Sequence, residues 1–285
     1  MGETEPLIRN VSDTAHWAAV YRANESERPD ALFRDPFARR LAGERGERIF
    51  ELPGQQRNAW AWVMRTYLGD RYLTEQVAAG ADLVVNLAAG LDARPYRLPM
   101  PASLRWVEVD LPELIDYKEE VLRGEQPACA LERVRLDLAD ADARRALFAR
   151  LGREAKRAVV LSEGLLIYLT PDEVGALARD LAAPPSFERW ILDVVSPGLV
   201  RMMQKQVGAH LSQAQAPLLF GPEEGPGFFA RYGWEPLEVR STFRAAIETR
   251  RLPWPLRLFG FLPESNGRQG KRPWSGICLM GKTGT

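Results

Sequence analysis

The stretch LAAGLDARPYRL, residues 87–98, carries a single glycine shortly after an apolar run. Glycine has no Cβ atom, so Gly90 would let a ligand approach the backbone closely. A dinucleotide needs further glycines, because its pyrophosphate must reach the N-terminus of the following helix. Those later places hold Asp92, Ala93 and Arg94, and a carboxylate repels a pyrophosphate. The loop therefore fits a nucleoside without phosphates better than it fits NAD.

Acidic residues end the apolar runs that come after this loop. Asp110 stands about 20 positions after Gly90, the spacing at which a carboxylate accepts hydrogen bonds from a ribose diol. Asp137 ends the next run, where it could accept from the exocyclic amine of adenine while Leu138 packs on the ring. Glu163 ends the run after that. Together these residues match an adenosine that carries a cationic centre, as S-adenosylmethionine does.

An alternation of strands and helices after residue 80 would bring these residues together. Apolar runs predict strands at 82–87, 104–109, 131–136, 158–162, 189–195, 234–240 and 272–282. Helical patterns fall at 12–24, 35–42 and 57–78, and then at 112–122, 141–151, 171–183 and 199–215. Strands separated by helices form βαβ units, so we expect a parallel sheet whose strand ends share one edge.

Composition excludes several classes of protein. Lysine plus arginine and aspartate plus glutamate both number 38, so no basic excess favours nucleic acid or an anionic membrane. No apolar stretch reaches the length of a membrane span. Two cysteines are too few for a disulfide framework, and the chain opens without an apolar signal core, so we expect a cytoplasmic protein. Neither His16 nor His210 has metal-ligand neighbours in the sequence, and we expect no metal.

Four motifs resemble the leucine carboxyl methyltransferase superfamily: VVNLAAGLDARPYRL, WVEVDLPELIDYKEEVL, RLDLAD and LSEGLLIYLTPDEV. The stretch NVSDTAHWAAVYRANESERPDALFRDPFARRLAG resembles its bacterial branch of tetracenomycin-type polyketide O-methyltransferases. The resemblance covers most of residues 7–196 and thins over 197–285. It implies an α/β fold of class I methyltransferases, a Rossmann-like, seven-stranded, mostly parallel sheet with one antiparallel strand, and S-adenosylmethionine as the cofactor.

The resemblance also divides the chain, which we expect to form one methyltransferase domain over 1–285. Residues 1–80 would be an N-terminal helical extension, and 81–196 the cofactor-binding core. Residues 197–265 would cover the substrate, and 266–285 would hold the last strand of the sheet.

Family roles transfer to individual positions of this chain. Gly90 matches the cofactor-loop glycine, and Asp110 matches the ribose-binding acid. The remaining matches are Asp137 and Leu138 beside adenine, Glu163 near the methionine amino group, and Arg22 and Arg65 near the methionine carboxylate. The family loop usually reads Gly-Ala-Gly and Asp-Thr-Arg, whereas here Ala88 and Ala93 replace a glycine and the threonine.

Structural alternatives exist for each candidate. Asp110 and Asp137 could instead cap the helices that follow them. Arg22 and Arg65 could belong to ordinary ion pairs, and Asp92 and Arg94 could pair with other residues to shape the loop. Tyr168 is favoured as a wall of the substrate pocket rather than a catalyst. His210 could touch substrate from the cover, although a surface position is favoured.

The expected reaction is in-line methyl transfer to oxygen, which depends on alignment and on exclusion of water. No catalytic residue is assigned, since no histidine or lysine base stands at a strand end. An ionised carboxylate needs no base, whereas a phenol would benefit from one. The acceptor is expected to be a small carboxylate or phenol of polyketide-like or aromatic character. A protein carboxyl methyltransferase and a non-catalytic S-adenosylmethionine-binding protein stay open, as does the oligomeric state.

Overall fold

The computed structural model describes residues 12–51, 58–213, 217–258, 260, 270 and 272–283. Three helices precede the sheet: α1 (Ser12–Ser26), α2 (Ala38–Phe50) and α3 (Ala59–Ala78). The strands are β1 (Leu83–Leu87), β2 (Arg105–Asp110), β3 (Ala130–Arg135), β4 (Ala158–Ser162), β5 (Phe187–Val195), β6 (Trp234–Ser241) and β7 (Ser275–Lys282). The later helices are α4 (Arg94–Arg97), α5 (Pro112–Val121), α6 (Ala141–Glu154), α7 (Pro171–Ala182), α8 (Pro197–Gln213), α9 (Thr242–Glu248) and α10 (Trp254–Arg257).

The seven strands form one sheet in the order β3-β2-β1-β4-β5-β7-β6. Strands β1 to β5 run parallel, and β7 is antiparallel to both of its neighbours. The predicted fold class, a mostly parallel Rossmann-like sheet with one antiparallel strand, is confirmed. Strand order reverses between β1 and β4, the place where open α/β sheets bind ligands beyond the carboxyl ends of the strands.

Helices cover both faces of the sheet, as the strand sequences require. Along β1 the side chains of Leu83, Val85 and Leu87 enter one apolar core, and Val84 enters the other. Successive side chains of a strand point to opposite faces, so a parallel strand covered on both sides is apolar at nearly every position. The exception in β1 is Asn86, which is buried and polar.

The start of α7 follows the helix signals of its sequence. Thr170 accepts a hydrogen bond from the Glu173 backbone N–H, and the Glu173 side chain accepts one from the Thr170 backbone N–H. This reciprocal capping box leaves Pro171 at the first turn, where its missing N–H costs nothing. The helix therefore begins where the sequence predicts.

The C-terminal third differs from the prediction in its arrangement. The expected cover, 197–265, contains β6, which pairs with β7 at the edge of the sheet. It also contains α9, a helix that the sequence pattern missed. The range therefore includes one strand of the sheet, and its role as a cover stays a prediction. The last strand begins at Ser275 rather than Arg272, and residues 261–269 lie outside those the structure describes.

No helix in the described ranges combines the length and the apolar character that crossing a bilayer demands.

Candidate active site

A cavity of about 980 Å³ lies at the carboxyl ends of the parallel strands. Loops that follow β1, β2, β3 and β4 form one side of it, and α1, α3 and α8 form the other. Every predicted site residue whose side chain is described lines this cavity: Arg22, Arg65, Gly90, Asp110, Asp137, Leu138, Glu163 and Tyr168. The remaining candidate, His210, falls in α8, and its side chain is outside the part of the chain that the structure describes.

Gly90 and Asp110 join the loop after β1 to the end of β2. The Gly90 N–H donates to Asp110 Oδ2 at 2.6 Å, and the Leu111 N–H donates to Oδ1 at 2.8 Å. Gly90 has a φ of +51°, a left-handed conformation that favours glycine. The helix α5 has Leu111 at its N-cap without a side-chain cap bond, so the alternative that Asp110 caps this helix is wrong.

The Asp110 carboxylate is buried, and its charge state reflects that position. Burial raises the pKa of Asp110 above its usual 3.8, while the hydrogen bonds from Gly90 and Leu111 lower it. Each carboxylate oxygen has two lone pairs, and one backbone N–H occupies one of them on each oxygen. Both oxygens therefore keep acceptor capacity for a pair of ribose hydroxyls at the cavity wall.

Asp137 and Leu138 lie beyond β3. Asp137 is exposed, and its Oδ1 accepts from the Ala139 N–H at 2.9 Å. The N-cap of α6 is Asp140, whose side chain accepts from two backbone N–H groups, so the alternative that Asp137 caps this helix is wrong. Leu138 packs against the core beneath the sheet end, and its half-buried side chain also lines the cavity.

Glu163 follows β4 and pairs with a buried arginine. Arg94 Nη1 lies 2.7 Å from Glu163 Oε2, and Arg94 Nη2 lies 3.2 Å from Oε1. The same guanidinium contacts Asp92 Oδ2 at 2.7 Å and Asp70 Oδ1 at 2.6 Å. Asp92 and Arg94 thus pair with each other, and Arg94 also pairs with residues outside the loop, Asp70 and Glu163, as the structural alternative had it. Burial alone would raise the pKa of Asp92, but the adjacent Arg94 charge holds it well below its usual value.

The two arginines predicted near the methionine carboxylate, Arg22 and Arg65, differ in how many of their N–H donors are already hydrogen-bonded within the protein. Arg22 Nε donates to Asp35 at 2.9 Å and Nη2 donates to the Leu91 carbonyl at 2.6 Å, so this side chain fastens the cofactor loop to α1. Arg65 stacks over the Trp62 ring at 4.5 Å and lies 3.9 Å from Asp193. Its Nε is buried without a hydrogen-bond partner in the described part of the chain.

Gly164 leaves room for the Arg65 side chain. A Cβ atom at Gly164 would lie 2.7 Å from Arg65 Nη1. The Gly164 N–H donates to Asp193 Oδ1 at 2.8 Å, which fixes the turn after β4. The Arg65 guanidinium is therefore positioned at the cavity wall with donors to spare for an anion.

Sequence reasoning missed several residues of this site. Asn86 donates to Asp92 at 2.9 Å from within β1, and Asp193 reaches the cavity from within β5. Asn86 interrupts an otherwise apolar strand and Asp193 an apolar run within β5, and those interruptions were the available signal. Asp70 binds Arg94 and Arg97 from within α3, where nothing in the local sequence separates it from a surface acid.

A second part of the cavity wall, which we call the apolar end, is apolar and aromatic. Its wall includes Trp17, Trp60, Trp62, Ile167, Tyr168, Leu199, Met202, Met203 and Pro217. Tyr21 stacks on Trp62 with ring centroids 5.3 Å apart, which supports this wall from behind. Burial raises the pKa of Tyr168, and a hydrogen bond with Thr14 opposes that rise. No His, Cys, Asp and Glu cluster suited to a metal ion occurs among the described residues.

These residues fit the groups of S-adenosylmethionine. Asp110 offers acceptors for a ribose, Glu163 offers a carboxylate for an ammonium group, and Arg65 offers donors for a carboxylate. Gly90 lines the cavity with a backbone that carries no Cβ atom, and Arg65 lines it with a guanidinium whose Nε has no hydrogen-bond partner among the described residues. Fold and cavity thus define the class, a Rossmann-like methyltransferase.

Comparisons with known proteins identify the family. The leucine carboxyl methyltransferase family model matches residues 15–182. A protein of Parafrankia sp. named as an S-adenosyl-L-methionine-dependent methyltransferase is 34% identical over 267 residues, 88% of this chain and 85% of the relative. One from Frankia alni, named likewise, is 34% identical over 89% of this chain and 92% of its own. The chain belongs to the leucine carboxyl methyltransferase family, and its cofactor is S-adenosylmethionine.

Solved structures agree with the fold. A DUF574 family protein from Streptomyces avermitilis superposes with a TM-score of 0.58 at 14% identity, covering 93% of this chain and 96% of that one. A protein from Thermobifida fusca described as a methyltransferase superposes with a TM-score of 0.57 at 15% identity, covering 97% and 96%. At such identities the likeness shows the shared fold alone.

Proposed function

We propose that this methyltransferase is an O-methyltransferase acting on a small carboxylate or phenol of aromatic or polyketide-like character. One observation carries the proposal: a single cavity joins a charged end, built from strand-end acids and arginines, to an apolar aromatic end. Its volume of about 980 Å³ is near the upper limit of small-molecule sites, roughly 300–1,000 Å³. That volume accommodates the cofactor and a compact acceptor side by side.

The mechanism rests on positioning. Bound S-adenosylmethionine supplies a methyl group on a sulfonium, which is already strongly electrophilic. Asp110, Glu163 and Arg65 would hold the ribose, ammonium and carboxylate of that molecule, as we propose from their places on the wall. The aromatic wall around Trp62 and Tyr168 would orient the acceptor oxygen in line and exclude water.

The chemistry of the wall favours a carboxylate acceptor. Neither histidine nor lysine occurs among the described residues that line the cavity. A carboxylate is ionised at neutral pH and attacks without a general base, whereas a phenol gains from one.

Cys129 and Cys278 are buried and unpaired, which agrees with the cytoplasm as the proposed compartment.

The family description favours a second candidate, a protein C-terminal carboxyl methyltransferase, since family members are named for a leucine carboxyl group. Both candidates use the same cofactor end and differ only in what enters the apolar end. Acceptor screening therefore separates them.

Titration calorimetry with S-adenosylmethionine and separately with NAD is the first experiment. We expect micromolar binding of S-adenosylmethionine and none of NAD; the reverse result would overturn the cofactor site. Transfer of a labelled methyl group to a panel of aromatic acids, phenols and leucine-ended peptides follows. Product with aromatic acids supports the proposal, product only with peptides supports the second candidate, and binding without any transfer favours a protein that only binds the cofactor.

A further inference from the structure

A buried ion network runs behind the charged end of the cavity. It joins three arginines, Arg22, Arg94 and Arg97, to four carboxylates, Asp35, Asp70, Asp92 and Glu163. Arg97 binds Asp70 through two hydrogen bonds of 2.7 and 2.6 Å, and Arg94 continues from Asp70 to Glu163. Within this network Glu163 has the most exposed side chain, at 15%. Arg22, Asp92, Arg94 and Glu163 of this network line the cavity.

Arg94 determines the direction of the Glu163 carboxylate. Its guanidinium has a side-chain exposure of 2% and donates from two nitrogens to both oxygens of Glu163. A forked guanidinium fixes the plane of a carboxylate, which a single ammonium charge does not. Because Asp92 and Asp70 hold the same guanidinium in place, Glu163 is preorganised before any ligand binds.

Gly69 of α3 leaves space for the Arg94–Glu163 pair. A Cβ atom there would lie 2.5 Å from Glu163 Oε1 and 2.9 Å from Arg94 Nη2. Alanine would otherwise suit this helix better than glycine. The pair thus packs directly against the backbone of α3, where only glycine leaves space for it.

We propose that Arg94 is a positioning residue, which, with Gly69, holds the Glu163 carboxylate ready for the amino group of the cofactor's methionine part. This inference rests on the proposed role of Glu163. It predicts that damage to the pair weakens recognition of the amino acid portion while sparing the adenosine portion. A residue that merely supports the fold would affect both portions alike.

Two ligands separate these portions: S-adenosylhomocysteine, which carries the amino acid, and 5′-methylthioadenosine, which lacks it. For Arg94→Lys we expect the Kd for S-adenosylhomocysteine to rise about tenfold, the loss of one charge-assisted hydrogen bond. The Kd for 5′-methylthioadenosine should change less than about twofold, as should both constants in the control Arg251→Lys. Arg251 is a matched control, because its guanidinium donates to both carboxylate oxygens of the buried Glu25. Arg251 does not line the cavity.

Glu163→Gln should reproduce the Arg94→Lys effect, and the double variant should be no weaker than either single one, because both act on one contact. Gly69→Ala keeps every charge and tests the same contact should Arg94→Lys fail to fold; its control is Gly175→Ala, where a Cβ atom would instead meet Tyr232. Equal loss of both ligands, or loss of neither, in folded Arg94→Lys and Gly69→Ala would overturn the inference. Wild-type protein that binds neither ligand would instead refute the cofactor site itself.

Discussion

The two ends of the cavity are built on different principles. At the cofactor end, the carboxylates are held by directed contacts, such as Asp110 by Gly90 and Glu163 by Arg94. At the acceptor end, the wall is formed by apolar and aromatic side chains such as Trp62 and Met202. Hydrogen-bonded recognition tolerates little change, because an unmatched buried polar group is costly, whereas an apolar wall repacks. We therefore expect substitutions to alter acceptor choice more readily than cofactor choice.

The largest effect is expected at the centre of the cofactor end. Asp110→Ala removes the proposed acceptor of the ribose hydroxyls and the acceptor of the Gly90 N–H, so the Kd for S-adenosylmethionine should rise about a hundredfold or more, as two lost hydrogen bonds imply. Calorimetry measures this change, and the circular dichroism spectrum should keep its native form. An unchanged Kd would show that Asp110 does not bind the ribose.

Acidification tests the same carboxylate without a mutation. Cofactor binding favours the ionised form, so affinity is present above the raised pKa of Asp110 and is lost as the pH falls through it. The loss should approach about tenfold per pH unit below that pKa. For folding the sign is opposite: the contribution of Asp110 is present below 3.8 and is lost as the pH rises through its folded pKa.

The measurement for this pH effect is the Kd for S-adenosylmethionine from about pH 7 to about pH 4.5, since linked protonation appears as a pH-dependent affinity. Asp110→Asn is the control, because its amide does not titrate and its profile should be flatter. Asp92 should not contribute in this range, since its pKa is held low beside Arg94. Parallel profiles for wild type and Asp110→Asn would exclude Asp110 as the titrating group.

A smaller effect, confined to binding of the methyl acceptor, is expected at the apolar end of the cavity. Met202 is half-buried in α8 and lines the apolar wall. Met202→Ala should raise the acceptor KM about fivefold through lost apolar contact while the Kd for S-adenosylmethionine stays unchanged. Steady-state kinetics with an identified acceptor and calorimetry separate the two constants. A change in cofactor affinity alone would contradict the division of the cavity into two ends.

The smallest effect is expected at the exposed acid of the cofactor end. Asp137 is solvent-exposed, so Asp137→Asn should raise the Kd for S-adenosylmethionine only about threefold, since an exposed hydrogen bond contributes little net free energy. The matched comparison is Asp110→Ala, the buried acid of the neighbouring strand. An effect at Asp137 as large as that at Asp110 would show that the adenine contact dominates binding.

Most elements followed from local sequence pattern, whereas the pairing of the C-terminal strands did not. Apolar runs bounded by turn residues predicted β1 and β4 closely, because burial on both faces demands such runs. The helix α9 was missed, because its seven residues are too few for a helical period of apolar side chains to be recognised. Strand β6 was recognised as a strand but placed within the cover, because pairing with β7 is decided by residues far along the chain.

By itself the sequence placed the candidate groups at one edge of the sheet: Gly90, Asp110, Asp137 and Glu163 follow successive apolar runs, and parallel strands end at a common edge. Only the tertiary structure decided the partners of these groups. Asp110 binds Gly90 instead of capping α5, and Arg94 binds Glu163 across 69 positions of sequence. The reason is physical: strand formation is local, whereas a buried charge selects its partner in three dimensions from any segment that packs beside it.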